Sequence, residues 1–219
     1  MHFGPLSGPG SGVDMRISHT ELETCLGNPP NWYVAVRTAS SHGYKMGYER
    51  SLRLTIFHYH KTSAAEARQY LDKMVKKHNF KNAARVTEIE NGLESYIHWA
   101  ESESLKVADT RIKITLHVGF LELRGEVGRV DVTAAGYRAV LLSQPPPDWQ
   151  QQLRMPLIQA AIGAMYGRPP DKIAVGFQEL DGSNLETVVY GRRQISAAEQ
   201  RFRLLGETVR QLSKPRRKV

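Results

Sequence analysis

One cysteine, Cys25, stands in a chain of 219 residues, and no apolar run approaches the roughly 20 residues that a bilayer-spanning helix needs. A single thiol can neither close an internal disulfide nor build a cysteine-rich zinc site, so a reducing, cytoplasmic setting is expected. No internal repeat is found, which excludes solenoids and propellers. The opening MHFGPLSGPGSGVD lacks the charged start and apolar stretch of a secretory signal. Residues 1–14 read instead as an expression leader or flexible arm, with Met15 as the natural start. Acids are also scarce, 22 Asp and Glu against 30 Lys and Arg, for a net charge of +8. Apolar residues at 41% and charged residues at 24% are ordinary for a globular protein, so wholesale disorder is excluded and one domain of normal size is expected.

The positive charge is concentrated at one end. Residues 191–219 hold nine basic side chains and two acids, a surplus of +7 that leaves +1 for everything before them. Arg192, Arg193 and Arg201, with Lys214, Arg216, Arg217 and Lys218 in a short basic tail (214–219), are therefore the candidates for phosphate contact. The plain alternative is a solvated helix followed by a solvated tail.

Apolar spacing supplies the elements. Ser18 or Thr20 is expected to cap a short helix containing Ile17, Leu22, Cys25 and Leu26, ended by Gly27-Asn28-Pro29-Pro30. Tyr48 to Tyr59 fits helix and strand templates equally. Ser63 caps a helix from Ala64 to His78, and Thr87 to Ala100 is a further one. The period then changes to two. Arg111 to Val118 alternates, Phe120 to Arg124 is extended, Gly125 to Val132 forms the next strand, and Tyr137 to Leu142 is apolar enough for the middle of a sheet. Trp149 to Met165 reads as a helix, Lys172 to Leu180 and Leu185 to Tyr190 as strands, and Ser196 as the cap of a last helix carrying Phe202, Leu205, Val209 and Leu212. The expected class is α/β, a mixed central sheet flanked by helices with a helical N-terminal section.

Read in order, Ser18, Leu22, Cys25, Pro29 and Trp32-Tyr33, then Gly128-Arg129-Val130-Asp131, a Gly turn, a second core strand and the Gln150-Gln151-Gln152-Leu153 helix start form a pattern. In that order the chain resembles RecB-like members of the PD-(D/E)XK nuclease superfamily, over most of Arg16 to Leu212. The resemblance implies a restriction-endonuclease-like core in a single domain (15–213), DNA or RNA as partner, and an acid at Asp131 as metal ligand and catalytic residue. In that family, carboxylates converge on Mg²⁺ or Mn²⁺ to activate water. The family's second strand carries acid-x-Lys, and here Leu141-Leu142-Ser143 stands in its place. Ser51 stands where a His is common, and Pro156 where a Tyr is common. Glu122 and Glu126 are the nearby acids that could replace the missing ligand, but both lie on the strand face opposite to Asp131.

The leading expectation is accordingly a catalytically degenerate nuclease-like protein with no cofactor. It would bind nucleic acid or a protein partner, away from membranes, in DNA repair or defence against foreign DNA. Two alternatives stay open: an active Mg²⁺- or Mn²⁺-dependent nuclease rebuilt around Asp131, and a protein-interaction scaffold that binds no nucleic acid. The bland reading of Asp131 is a carboxylate bonded to a neighbouring strand or helix end. His58 and His60 would share a face if their segment were a strand, as zinc ligands can, but no third ligand accompanies them. Cys25 is read as a buried structural residue rather than a nucleophile. Gly125-x-x-Gly128 lacks the Lys of phosphate-cradling loops.

Overall fold

The pattern of periods folds as an α/β structure. The computed structural model describes residues 15–38, 46–119 and 121–213, so the leader and the tail with Lys214, Arg216, Arg217 and Lys218 lie outside the described residues. The order is β1 (Met15–Ser18), α1 (Leu22–Gly27), α2 (Pro29–Thr38), α3 (Tyr48–Tyr59), α4 (Ala64–Lys77), α5 (Ala83–Ser102), β2 (Val107–Val118), β3 (Leu121–Thr133), β4 (Gly136–Leu142), α6 (Arg154–Met165), β5 (Ile173–Gln178), β6 (Glu186–Val188) and α7 (Arg192–Ser213). All six strands join one mixed sheet.

Several elements differ from expectation for local reasons. Met15–Ser18 is a strand rather than the start of a helix, because it pairs in parallel with Leu121–Arg124 and buries Ile17. The spans either side of Gly125 form one continuous strand, held by an antiparallel partner, β2, along most of its length. Tyr48–Tyr59 is helical, so His58 and His60 do not alternate on a strand. His58 stacks on Tyr70, with ring centroids 4.6 Å apart. The last helix begins four residues before Ser196: the Gly191 amide donates to the Gln194 side chain at 2.8 Å, and the Ile195 amide donates to the Gly191 carbonyl at 3.1 Å. Pro156 sits in the first turn of α6, where its missing N–H costs no helical hydrogen bond. Ser63 caps α4 as read, its hydroxyl oxygen accepting from the Glu66 amide at 3.2 Å.

Three apolar cores position the rest. On one sheet face Ile158, Ala161 and Ile162 of α6 pack on Val130, Ala139, Leu141, Val175 and Phe177. On the other, Ile56 of α3, Leu71 of α4 and Leu93, Tyr96 and Ile97 of α5 cover Val140 and Leu142. A third core joins Leu22, Cys25 and Trp32 to Leu123 and to Phe202, Leu205 and Val209 of α7. Helix α7 is therefore part of the core rather than an appended tail.

The sheet has a notch. Strand β2 pairs with β3 from Leu121 to Asp131 and so fills one of its edges. The opposite edge is shared by two strands: β1 runs parallel beside Leu121–Arg124, and β4 runs antiparallel beside Arg129–Thr133. Their C-terminal ends point at each other across Gly125 to Gly128, where neither pairs with β3.

Candidate functional site

Asp131 lies in β3 on the face covered by α5, and it is closed off. Asp131 and Arg129 are both 0% exposed. The Arg129 guanidinium donates through Nε to Asp131 Oδ1 at 2.5 Å and through a terminal nitrogen to Oδ2 at 3.0 Å. From the neighbouring strand Arg138 Nε donates to Oδ2 at 2.9 Å. Residue 138 is the direct cross-strand partner of residue 131, which places this second cation without a loop. Arg129 also donates to the Tyr96 hydroxyl, and its guanidinium carbon lies 5.1 Å from the centre of the Trp99 ring. Burial pushes the Tyr96 phenol up to about 12, against the pull of Arg129. The Tyr96 oxygen is 2.8 Å from His60 Nε2. Burial, aided by Arg129, pushes His60 down to about 3, so it is a neutral ring at pH 7.

This donor set does not suit a hard divalent ion. Mg²⁺ and Mn²⁺ need several accessible oxygens, whereas both oxygens of Asp131 accept from guanidinium groups. The neighbouring acids are placed elsewhere. Glu122 is buried beside Arg16, Arg124 and His117, while Glu126 pairs with Arg111 at 3.4 Å. Leu141 and Leu142 are buried in the cores on opposite faces of the sheet. Among the described residues no group of three His, Cys, Asp or Glu is placed to share an ion. Ser51 is buried, and its hydroxyl donates to the Gly47 carbonyl at 3.0 Å. The Cys25 thiol is pushed up by burial to about 12, so it is no nucleophile near neutrality.

An open cleft lies at the notch, which the sequence did not single out. A cleft of about 420 Å³ is lined by His19 and Thr20 after β1, by Glu126 and Gly128 of β3, and by Leu141, Leu142 and Ser143 at the end of β4. Because the sheet is interrupted there, residues from both layers reach it, Arg53 from α3 and Arg154 from the first turn of α6. The two glycines make the room. A Cβ on Gly125 would fall 1.9 Å from His19 Cδ2, and one on Gly128 would fall 3.1 Å from Leu142 Cγ. The imidazole of His19 thus packs against the backbone of Gly125, and the His19 amide donates to the Arg124 carbonyl at 2.7 Å. Burial, then Arg154, push His19 down to about 4. Arg154 donates to Gln152 at 2.8 Å and lies 5.5 Å from the centre of the Phe177 ring, while its amide donates to Glu23 at 3.0 Å.

Helix α7 displays the predicted Arg192, Arg193 and Arg201 on its exposed sides. They do not form one patch: at about 100° per residue, Arg192 and Arg201 lie about 180° apart around the axis. Arg192 instead shares a stripe with Arg203 and Arg210, which are eleven and eighteen residues further on.

No family model matches the chain, and no curated protein does. The fold is similar to that of a crystal structure from Eubacterium rectale, a protein provisionally designated an exonuclease. The TM-score is 0.55 at 8% identity, over 90% of this chain and 80% of that one. A second solved structure, SSO0001, overlaps with a TM-score of 0.24 at 9% identity, over 83% of this chain and 85% of its own, too low to carry an argument. At 8% identity the first likeness is one of fold alone. No described helix is long and apolar enough to cross a membrane.

Proposed function

We propose that this protein uses a nuclease-like fold to hold nucleic acid without cutting it, as a binding or assembly subunit in the repair of DNA or in defence against foreign DNA. One observation carries the reading: the acid that a metal-dependent nuclease would need at Asp131 is sealed at 0% exposure between Arg129 and Arg138. The guanidinium groups occupy the place where a divalent ion would neutralise charge. The arginines exposed along α7, together with a net charge of +8, supply sequence-independent attraction to phosphates. Any cutting then falls to a partner protein.

The test has two arms. Labelled single- and double-stranded DNA is incubated with Mn²⁺ or Mg²⁺ and either the wild type or Asp131→Asn. No metal-dependent product is expected, and cleavage abolished by the substitution overturns the reading in favour of a nuclease rebuilt around Asp131. Gel shifts with the same DNA should show binding that weakens steeply as salt rises. Deleting residues 192–219 would remove Phe202, Leu205 and Val209 from the core. The charge test therefore uses Arg192→Glu with Arg203→Glu, expected to weaken binding at least about tenfold through lost phosphate contacts. Absence of binding in the wild type at low salt points to the protein-interaction scaffold instead.

A further inference from the structure

We infer that the notch between β1 and β4 is a binding site for a backbone phosphate group of the nucleic acid, built from the guanidinium groups of Arg53 and Arg154 and the imidazole of His19. This deepens the nucleic-acid reading above and rests on it. The cleft lies where two strand ends converge and the sheet is open to both helical layers.

Arg154 already donates to Gln152, but two other polar atoms of the lining are unpartnered. His19 is 7% exposed, yet its Nδ1 has no hydrogen-bond partner. The Nε of Arg53 is likewise buried and without a partner. A buried polar atom left unpaired is costly, so two of them lining one cleft mark a place where a ligand completes the bonding. The ligand's charge follows from the cations. Burial lowers the Arg154 pKa, opposed by Glu23, so an anion beside the guanidinium would be stabilising. The one acid in the lining, Glu126, is turned to Arg111 at 3.4 Å. The planar forks of two arginines match the tetrahedral oxygens of a phosphate better than a single point charge would. Leu141, Pro146 and Phe177 supply an apolar wall that limits screening by water. Burial and Arg154 keep His19 neutral near pH 7, so it lines the cleft as an uncharged polar ring and the phosphate's charge is met by Arg53 and Arg154.

The experiment uses the full chain and two probes, inorganic phosphate and a labelled single-stranded oligonucleotide. Wild type is expected to show a rise in melting temperature with phosphate over chloride at equal ionic strength, and Arg53→Gln should remove it. The same substitution should weaken the oligonucleotide at least about tenfold, the loss of a charge-assisted bond. Glu126→Gln, at the mouth, is expected to tighten both probes severalfold, and it tests the site even if Arg53→Gln folds poorly. Oligonucleotide binding indifferent to Arg53→Gln and Glu126→Gln overturns the notch site while the nucleic-acid function stands. A phosphate response that depends on Arg53 without any oligonucleotide binding overturns that function and leaves the cleft as a site for free phosphate. If neither probe responds, both inferences fall.

Discussion

Two pairs of arginines meet β3 at neighbouring stretches, Arg129 with Arg138 around residue 131 and Arg53 with Arg154 beside residues 125–128, and they have opposite fates. At one end Arg129 and Arg138 close on Asp131, with Tyr96 and His60 completing a chain of hydrogen bonds in which the carboxylate has no contact with solvent. At the notch Arg53 and Arg154 face a cleft whose only acid is engaged by Arg111. The first cluster has its counter-charge in direct contact within the fold and so acts on stability. In the second, Glu23 acts on Arg154 electrostatically but makes no ion pair with its guanidinium, so the cleft can still take an anion. Position on the strand decides between them: β4 still pairs with β3 at residue 131, bringing Arg138 opposite, and no longer does so at residues 125–128.

The contrast breaks most visibly at Asp131. Asp131→Ala leaves Arg129 charged, buried and unpaired, and removing one partner of a buried ion pair costs about 3–5 kcal/mol. Urea unfolding should show that loss, with Asp131→Asn less affected because one amide oxygen still accepts. A cost below about 1 kcal/mol would mean that the cluster is wetter and looser than its geometry, and that Asp131 is free for other work. Tyr96→Phe is the next step down. It strips Arg129 and His60 of a shared partner, with an expected loss of about 1–3 kcal/mol.

Acid should strain both clusters at once, by an effect of the same order. His60 is held down to about 3 and His19 to about 4 from an ordinary 6.5. The unfolded chain therefore takes up protons first. Stability is full above about 6.5 and declines as pH falls toward those values, because each proton must be forced into a buried neutral ring. His60→Gln and His19→Gln should each flatten part of that slope in chemical denaturation followed from pH 7 to 4.5. A stability curve that is flat over that range would contradict the burial of both rings.

Gly125→Ala sharpens the comparison from the other side. The new methyl would sit 1.9 Å from His19 Cδ2, so the ring must leave the notch or the strand must shift. Such overpacking costs about 1–3 kcal/mol, and it should also cancel the melting response to phosphate while leaving the Asp131 cluster intact. Retention of that response would place the anion elsewhere.

Much of the fold was legible because period and caps are local signals. Ser63 and the alternation from Arg111 to Val118 lie within a few residues of the structure they specify. Met15–Ser18 was misread because four residues carry no period of their own. What makes them a strand is Leu121–Arg124, more than a hundred residues away. The same distance hid the candidate site. The family pattern pointed to Asp131 and Leu141-Leu142-Ser143, and nothing in a linear reading joins His19, Arg53 and Arg154, which come from three elements and meet only because two strands stop short of each other. The one local trace was the pair Gly125 and Gly128, a weak loop motif in sequence; in the fold Gly125 makes room for the His19 ring and Gly128 lines the cleft.

The smallest predicted effect isolates burial as the cause of the first contrast. Arg68 and Glu94 make a bidentate pair between α4 and α5, with both bonds at 2.6 Å, a geometry as good as that of Arg129 and Asp131. Their side chains, however, are 49% and 51% exposed. Water and salt screen such a pair, and neither partner is stranded when the other is removed, so Glu94→Ala should cost only about 0.2–1 kcal/mol in urea unfolding and less still in high salt. If Glu94→Ala proved as damaging as Asp131→Ala, geometry rather than desolvation would set the energy of these pairs. The sealed state of Asp131 would then lose its force as an argument against a working metal site, and the balance would return to the nuclease alternative.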